Sequence, residues 1–249
     1  MILKYKMEME TRTLSQNKVK QFLIRIDLEK TQPLDFLAVV NSLTQFYDRV
    51  EQQLVPNLKI NLNSGEVKNE AIKHFLFIKE GGHTLKVDPV ERAFILNTNS
   101  YLDRSNYLDD IQNLIRIVTS LTQGQCKALR IGMRFINVFE CDKPSSYTKM
   151  FNKDEGRLLA LMRGKSQICR ALLVNEYQTE NGLARVQFGF PNKFYPSLLH
   201  DNEVILDIDS FSNGLQEVKD WADILEALNH KAYDLFLQYM NQEYIQILK

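Results

Sequence analysis

Apolar residues recur along this chain with two periods, two residues in some segments and three to four in others. Residues 21–29 alternate between apolar and polar, which predicts a half-buried strand. From Pro33 to about Val55 the apolar residues lie on one helical stripe, so a helix is predicted there. Pro56 is expected to end this helix, because proline cannot continue it.

The rest of the chain follows the same two periods. The pair Gly81-Gly82 predicts a tight hairpin turn between two strands. Period-two segments predict strands at 74–79, 84–87, 92–97, 128–140, 168–178, 183–190 and 203–211. Helical periodicity predicts helices at 107–122, 155–162 and 221–239.

A faint internal repeat relates two parts of the chain, with an offset of about 110 residues. The segment 93–101 (AFILNTNSY) resembles 203–211 (EVILDIDSF), and an amphipathic helix follows each copy. Almost the same offset aligns 22–26 with 131–135. The repeat predicts two tandem β-α-β-β-β-α units.

The predicted fold class is α+β, with a curved antiparallel sheet and the helices packed on one face, in a saddle-like or helix-grip-like arrangement. Two ferredoxin-like units in tandem are the alternative. The expected organisation is an irregular N-terminal arm at 1–19, a first unit at 20–126 and a second unit at 127–249. Whether the two units share one core stays open at this point.

Charge is balanced overall and uneven along the chain. The formal net charge is zero, so no global field attracts nucleic acid or membrane. Residues 127–170 carry ten Lys/Arg against four acids, whereas residues 196–249 carry ten acids against three lysines. A basic middle and an acidic end can attract each other, within one molecule or between copies, or serve two partners.

Cysteine usage and the N-terminus indicate the compartment. Three cysteines without a C-x-x-C motif indicate reduced thiols. The first residues lack the apolar core of a signal peptide, and no apolar run reaches bilayer length. We therefore expect a cytoplasmic protein without a membrane partner.

Common cofactor and catalytic motifs are missing from the sequence. The four histidines form no H-x-x-x-H pair, and neither a G-x-x-x-x-G-K-[ST] nor a G-x-G-x-x-G loop occurs. A G-x-S-x-G nucleophile elbow is also missing. The sequence predicts no cofactor and no catalytic residue.

Asp207 and Asp209 are the best acidic pair. Residues i and i+2 of a strand point to the same face, and two neighbouring carboxylates can share a divalent metal, as in nucleases. The alternative is a solvated strand end, where Asp209 makes a turn bond. The first copy of the repeat has Asn97 and Asn99 at the equivalent positions, which argues against a metal.

Arg134 faces away from the apolar side of its predicted strand, beside Gly132, which allows another group to approach the backbone. Pairing with an acid is favoured over ligand recognition, since Arg25 occupies the equivalent place in the first unit.

A basic stretch offers a second candidate site. Charge with little geometry is enough to contact phosphates, and nearby aromatic rings can stack on bases. The alternative is a solvated surface. The candidate nucleic-acid-binding residues are Arg157, Arg163, Lys165 and Arg170, with Tyr147, Phe151 and Tyr177 as candidate stacking residues.

Three segments together resemble a sporadically distributed prokaryotic family of about this length, whose members are mostly of unknown function. They are 130–137 (R-x-G-x-R-F-I-N), 205–209 (L-D-x-D) and the helix at 224–236. The resemblance implies an accessory role, such as a subunit of a defence or toxin–antitoxin system. It marks as characteristic positions Arg134, Asn137 and Asp207.

The sequence leaves three functions open. The first is a non-catalytic binding or assembly module of a bacterial cytoplasmic complex, with a protein partner or a second copy. The second is a nucleic-acid-binding protein, or a metal-dependent nuclease, that uses the basic stretch with Asp207 and Asp209. The third is a carrier for a small apolar ligand held between sheet and helices.

Overall fold

The computed structural model describes residues 18–31, 33–60, 67–101, 105–141, 143–164, 167–180, 182–199 and 202–248. Across these residues the fold is α+β, as predicted, with an open antiparallel sheet of ten strands and six helices. The arm expected at 1–19 falls almost wholly on residues 1–17, which lie outside the described residues.

The helices and strands follow one another in an order that differs between the two halves. The strands are β1 (Val19–Leu28), β2 (Arg49–Ile60), β3 (Val67–Ile78), β4 (His83–Asp88), β5 (Ala93–Thr98), β6 (Lys127–Glu140), β7 (Ala171–Thr179), β8 (Gly182–Phe190), β9 (Glu203–Ser212) and β10 (Gln216–Glu217). The helices are α1 (Phe36–Leu43), α2 (Ser105–Thr122), α3 (Pro144–Met150), α4 (Lys153–Arg163), α5 (Trp221–Tyr239) and α6 (Gln242–Leu248).

The sheet is centred on β1 and β6. Its order is β2-β3-β4-β5-β1-β6-β9-β8-β7, with the short β10 also paired to β6, and every neighbouring pair is antiparallel. At the centre Ile24 lies opposite Met133. Strands β2 and β7 form the two edges.

Ring contacts place the helices on one face of the sheet. In the first half, Phe36 of α1 packs on Phe94, and Tyr107 of α2 stacks on Phe22 at 4.6 Å between ring centroids. In the second half, aromatic rings also pack on rings of the sheet. They come from α3, α5 and the α3–α4 connection, in the pairs Tyr147–Phe190, Tyr239–Phe188 and Phe151–Phe188. Buried apolar residues of both halves form one cluster, so they contribute to a single core.

The predicted long helix at 33–55 is wrong. Helix α1 ends at Leu43, a short 3₁₀ turn follows, and β2 begins at Arg49. The apolar spacing suited a helix, but Leu54 is exposed and contributes nothing to the core. Twelve cross-strand pairs with β3 determine the conformation instead. Pro56 lies inside this edge strand, where a missing N–H is tolerated.

The other predicted elements are present, most with slightly different ends. Helix α5 has the predicted bounds, and a positive φ at Gly81 and at Gly82 confirms the turn before β4. Helix α3 was not predicted from the sequence, and β3 starts earlier than predicted.

Candidate functional site: the helix-free face of the sheet

The face of the sheet opposite the helices, which we call the helix-free face because no helix of the described residues packs on it, carries a row of paired charges. Strand alternation sends the side chains of Arg134, Asp207 and Asp209 to this face, while their neighbours in the chain are buried against the helices. The two aspartates therefore share a face, and what lies beside them decides their chemistry.

Arg134 binds Asp207 with both arms of its guanidinium. Its Nε donates to Oδ1 at 2.8 Å, and its second terminal nitrogen donates to Oδ2 at 2.6 Å. The Asp207 side chain is only 5% exposed, whereas that of Arg134 is 40% exposed. The bonds to Asp207 are the largest cause of the raised pKa of Arg134. Arg134 is thus paired with an acid, from a neighbouring strand.

Asp209 occupies a mixed environment next to this pair. Burial raises its pKa, and the neighbouring Arg130 and Arg134 oppose that effect. One guanidinium nitrogen of Arg130 lies 3.3 Å from its carboxylate. The same guanidinium stacks over Phe211 at 4.5 Å from the ring centroid. The small Gly132 lies beneath, and a Cβ there would touch both groups.

Each aspartate of the predicted metal pair therefore has an arginine partner. Arg134 occupies both carboxylate oxygens of Asp207, which a divalent cation would need, whereas Arg130 contacts one oxygen of Asp209. Within the described residues, no group of three or more His, Cys, Asp or Glu side chains is placed to hold a metal ion.

The row of charges continues on both sides of this centre. On β1, Arg25 binds Asp27 at 2.7 Å and Glu91 at 2.8 Å. Towards the β7 edge, Arg185 binds Glu176 at 2.7 Å. Half-buried aliphatic side chains lie among these pairs, together with the polar Asn97 and Gln187; the aliphatic ones are Leu23, Ile95, Ile136 and Ile205.

Asn137, the remaining residue marked by the resemblance, has a structural contact. Its amide donates to the carbonyl of Leu206 at 3.0 Å and is buried. It joins β6 to β9 and does not reach the helix-free face.

The basic stretch is divided between structural contacts and solvent. Arg163 donates to the carbonyl of Leu199 at 2.8 Å, and Arg170 to that of Pro191 at 3.0 Å, so both brace the loop before β9. Arg157 is exposed on α4. Lys165 lies outside the described residues.

The stacking residues expected beside this stretch are not available to bases. Tyr147 and Phe151 belong to the core, and Tyr177 is packed against it, with its hydroxyl hydrogen-bonded to that of Tyr239. Instead the structure exposes Phe194 and Tyr195, at 68% and 57%, in a segment where neither a strand nor a helix was predicted. An F-Y pair beside a proline in that loop was the available signal.

A second polar cluster ties the β3–β4 hairpin to α2. Lys79 forms an ion pair with the buried Asp110 and lies 5.0 Å from the ring centroid of Tyr47. Burial and the neighbouring Asp110 raise the pKa of Tyr47. His83 is buried, which lowers its pKa, and its Nδ1 has no hydrogen-bond partner.

Between sheet and helices the buried apolar residues form one cluster. One depression, of about 660 Å³, lies at the surface between the start of α4 and the α5–α6 connection. None of the described helices is both long and apolar enough to span a bilayer.

Comparison with known proteins gives this site no precedent: the chain matches no family model, no curated protein and no solved structure.

Proposed function

We propose that the chain is a non-catalytic binding or assembly module whose partner-facing surface is the helix-free face of the sheet. The single observation that carries the proposal is the row of arginine–carboxylate pairs on that face, with half-buried aliphatic residues between them. Arginine beside apolar surface is the composition that protein interfaces favour. The partner is accordingly a protein.

The pairing itself favours binding. A free arginine loses rotamer freedom when a partner immobilises it, at a cost of about 0.5–1.5 kcal/mol. Arg25, Arg130 and Arg134 are already held by acids within the sheet. A partner that contacts their remaining N–H groups meets side chains that are ordered beforehand.

The proposal extends to the architecture, as two related units on either side of the β1–β6 pair, with saddle-like or helix-grip-like curvature. Register at the centre supports this relation. The pairs Phe22–Phe135 and Ile26–Ile131 lie symmetrically about Ile24–Met133. The sequence repeat aligns 22–26 with 131–135, so each of these two pairs joins one residue to the repeat equivalent of the other.

In the outer strands the relation is displaced. Ile24 pairs with Leu96, and the corresponding Met133 pairs with Ser210. The sequence repeat aligns Leu96 with Leu206 instead, four residues earlier. A register shift by an even number of residues keeps the same side chains on each face of the sheet. The proposed relation therefore leaves the helix-free face unchanged.

The setting follows from the resemblance described above: a bacterial cytoplasmic complex, with the protein as an accessory subunit of a defence or toxin–antitoxin system. A partner protein and a second copy of the chain would both use the same face.

Site-specific photo-crosslinking tests the proposed surface. A photoreactive phenylalanine replaces Val174, which is 52% exposed on the helix-free side of β7, and the tagged protein is irradiated in cells of the source organism. The matched control carries the same group at Leu37, 60% exposed on α1.

We expect one stoichiometric protein adduct at position 174, none at position 37, and loss of the adduct when Arg185→Glu is added. Equal adducts at both positions, or an adduct that persists with Arg185→Glu, would contradict the proposal. An adduct with a second copy would identify the module as self-assembling.

A further inference from the structure

We propose that a second surface, formed by α4 and the 191–199 loop, binds single-stranded nucleic acid, with Phe194 and Tyr195 stacking on bases and Lys153 and Arg157 contacting phosphates. This inference goes beyond the proposed function and uses a different surface. We call these four residues the α4–loop surface.

The two rings are exposed on a firmly held loop. Asn192, which is only 4% exposed, donates to the carbonyl of Cys169 at 2.6 Å and to that of Ser197 at 2.7 Å. Its own side-chain oxygen accepts from the Phe194 amide at 3.0 Å. A loop braced by a buried side chain keeps both aromatic rings in solvent, although solvent does not favour them there.

Arginine completes the stacking platform. The guanidinium of Arg170 lies 4.3 Å from the centroid of the Tyr195 ring, while its Nε donates to the Pro191 carbonyl. Because that bond is made to a neutral carbonyl, it places no negative charge beside the guanidinium to offset its positive charge. Aromatic rings with arginine on their faces are typical of single-strand binding sites, since every base has a π-face.

Helix α4 carries two further exposed cations. Its last residue, Arg163, donates to the Leu199 carbonyl, so the C-terminal end of the helix adjoins the loop. Lys153 and Arg157 are four residues apart and both exposed, hence on one outer face of the helix. Within the described part of the chain, neither these two residues nor Arg170 forms an ion pair.

Charge distinguishes a polyanion from a protein partner here. On the helix-free face, arginines are neutralised by acids of the same sheet. On α4 the acids are Asp154 and Glu155, and neither is paired with these cations. Cations that form no ion pair, on a helix that adjoins exposed rings, match phosphates and bases together.

Fluorescence anisotropy with labelled 15-nucleotide dT and rU strands tests the proposal, alongside a duplex of equal length, between 50 and 200 mM NaCl. The duplex is the comparison for stacking, because its bases are not free to meet the rings. The two single strands distinguish DNA from RNA as the source of the shared chemistry.

Three double variants separate the contributions. Phe194→Ala/Tyr195→Ala removes the rings, and Lys153→Ala/Arg157→Ala removes the cations. Leu215→Ala/Lys219→Ala is the matched control. These two exposed residues flank β10, which pairs with the first residues of β6. They therefore lie at the end of the sheet opposite the 191–199 loop. Thermal melts confirm that each variant is folded.

We expect the wild type and the control to bind single strands more tightly than duplex. Removing both rings should weaken binding at least about tenfold. Removing both cations should flatten the plot of log affinity against log salt by about 1.4, at about 0.7 per phosphate contact.

No single-strand binding at 50 mM NaCl, unchanged affinity without the rings, or a preference for duplex would each overturn the proposal. If the oligonucleotides fail to bind while a cellular protein is captured in a manner that depends on the rings, the surface is a protein interface and the proposal is equally overturned.

Discussion

Arg134 of β6 and Asp207 of β9 are joined by two hydrogen bonds although they are not opposite one another in the sheet. In the register Arg134 faces Asp209, and Asp207 faces Ile136, so the guanidinium reaches diagonally across the strands. The pair is also unequal in exposure, since Asp207 is buried and Arg134 reaches solvent. Because of this difference in exposure, we expect the loss of Arg134 to cost more stability than the loss of Asp207.

Arg134→Met should cost about 2–4 kcal/mol of unfolding free energy, because it leaves a buried carboxylate without its partner. Asp207→Asn should cost only about 1 kcal/mol, because the remaining arginine can be hydrated. Urea unfolding of both single variants and of the double variant gives these values and the coupling between the residues.

The control for this pair is Arg185→Met. Arg185 and Glu176 are each about half exposed, so their loss should cost under about 1 kcal/mol. Equal losses at Arg134 and Arg185 would show that the burial of Asp207 has no energetic weight.

Gly156→Ala should destabilise the protein even though alanine is the better helix former. A Cβ at this position of α4 would lie 2.8 Å from the Cα of Thr148 in α3, and backbone cannot move aside easily. We expect a loss of about 1–3 kcal/mol, in place of the gain of about 1 kcal/mol that propensity alone predicts. Thermal melts measure it, with the exposed α2 substitution Gln112→Ala as a control that should be nearly neutral.

His83 should make stability depend on pH below neutrality. Burial lowers its pKa in the folded state, while Asp110 of α2 opposes this and Lys79 at the end of β3 adds to it. The unfolded chain then takes up a proton near pH 6.5, before the folded protein does, so stability falls as the pH drops through that value towards the folded pKa.

His83→Gln should therefore lose less stability than the wild type between pH 7.5 and 5, in thermal melts at each pH. His230→Gln is the comparison, since His230 is an exposed residue paired with Glu226 on α5. A wild-type pH profile that persists in His83→Gln would assign the effect to other groups.

Asn192→Ala should loosen the 191–199 loop selectively. It removes three hydrogen bonds, to Cys169, Ser197 and Phe194, of which the first anchors the loop to the chain before β7. Hydrogen exchange should accelerate at the amides of Phe194 and Ser197 and remain unchanged in β6. Equal acceleration in both places would mean that the loop and the sheet open together.

Regular periodicity made most of the fold predictable. The α5 stripe, from Trp221 to Tyr239, has helical spacing throughout, and its predicted bounds match the structure. At 49–56 the apolar residues Val50 and Leu54 also have helical spacing, but Leu54 is exposed and Val50 is only partly buried against the core, and pairing with β3 prevails. A period is informative only where burial accompanies it.

The candidate sites were harder to predict, because they depend on contacts distant in sequence. The partner of Arg134 lies 73 residues away, on a strand whose register no local pattern specifies. Conversely, Tyr147 and Phe151 were predicted as candidate stacking residues, but both are buried in the core. Phe194 and Tyr195 belong to no periodic segment, so no hydrophobic period indicates whether they are buried or exposed.

The central position of β1 has a consequence for the synthesis of the chain. In the finished sheet β1 lies between β5 and β6, yet β6 begins only at Lys127. While the ribosome adds the roughly forty residues from the end of β5 to the end of β6, over a few seconds at about 5–20 residues per second, β1 has a partner on one side only. An unpaired strand edge attracts other chains. Timely emergence of β6 therefore protects each nascent molecule from its neighbours on the polysome.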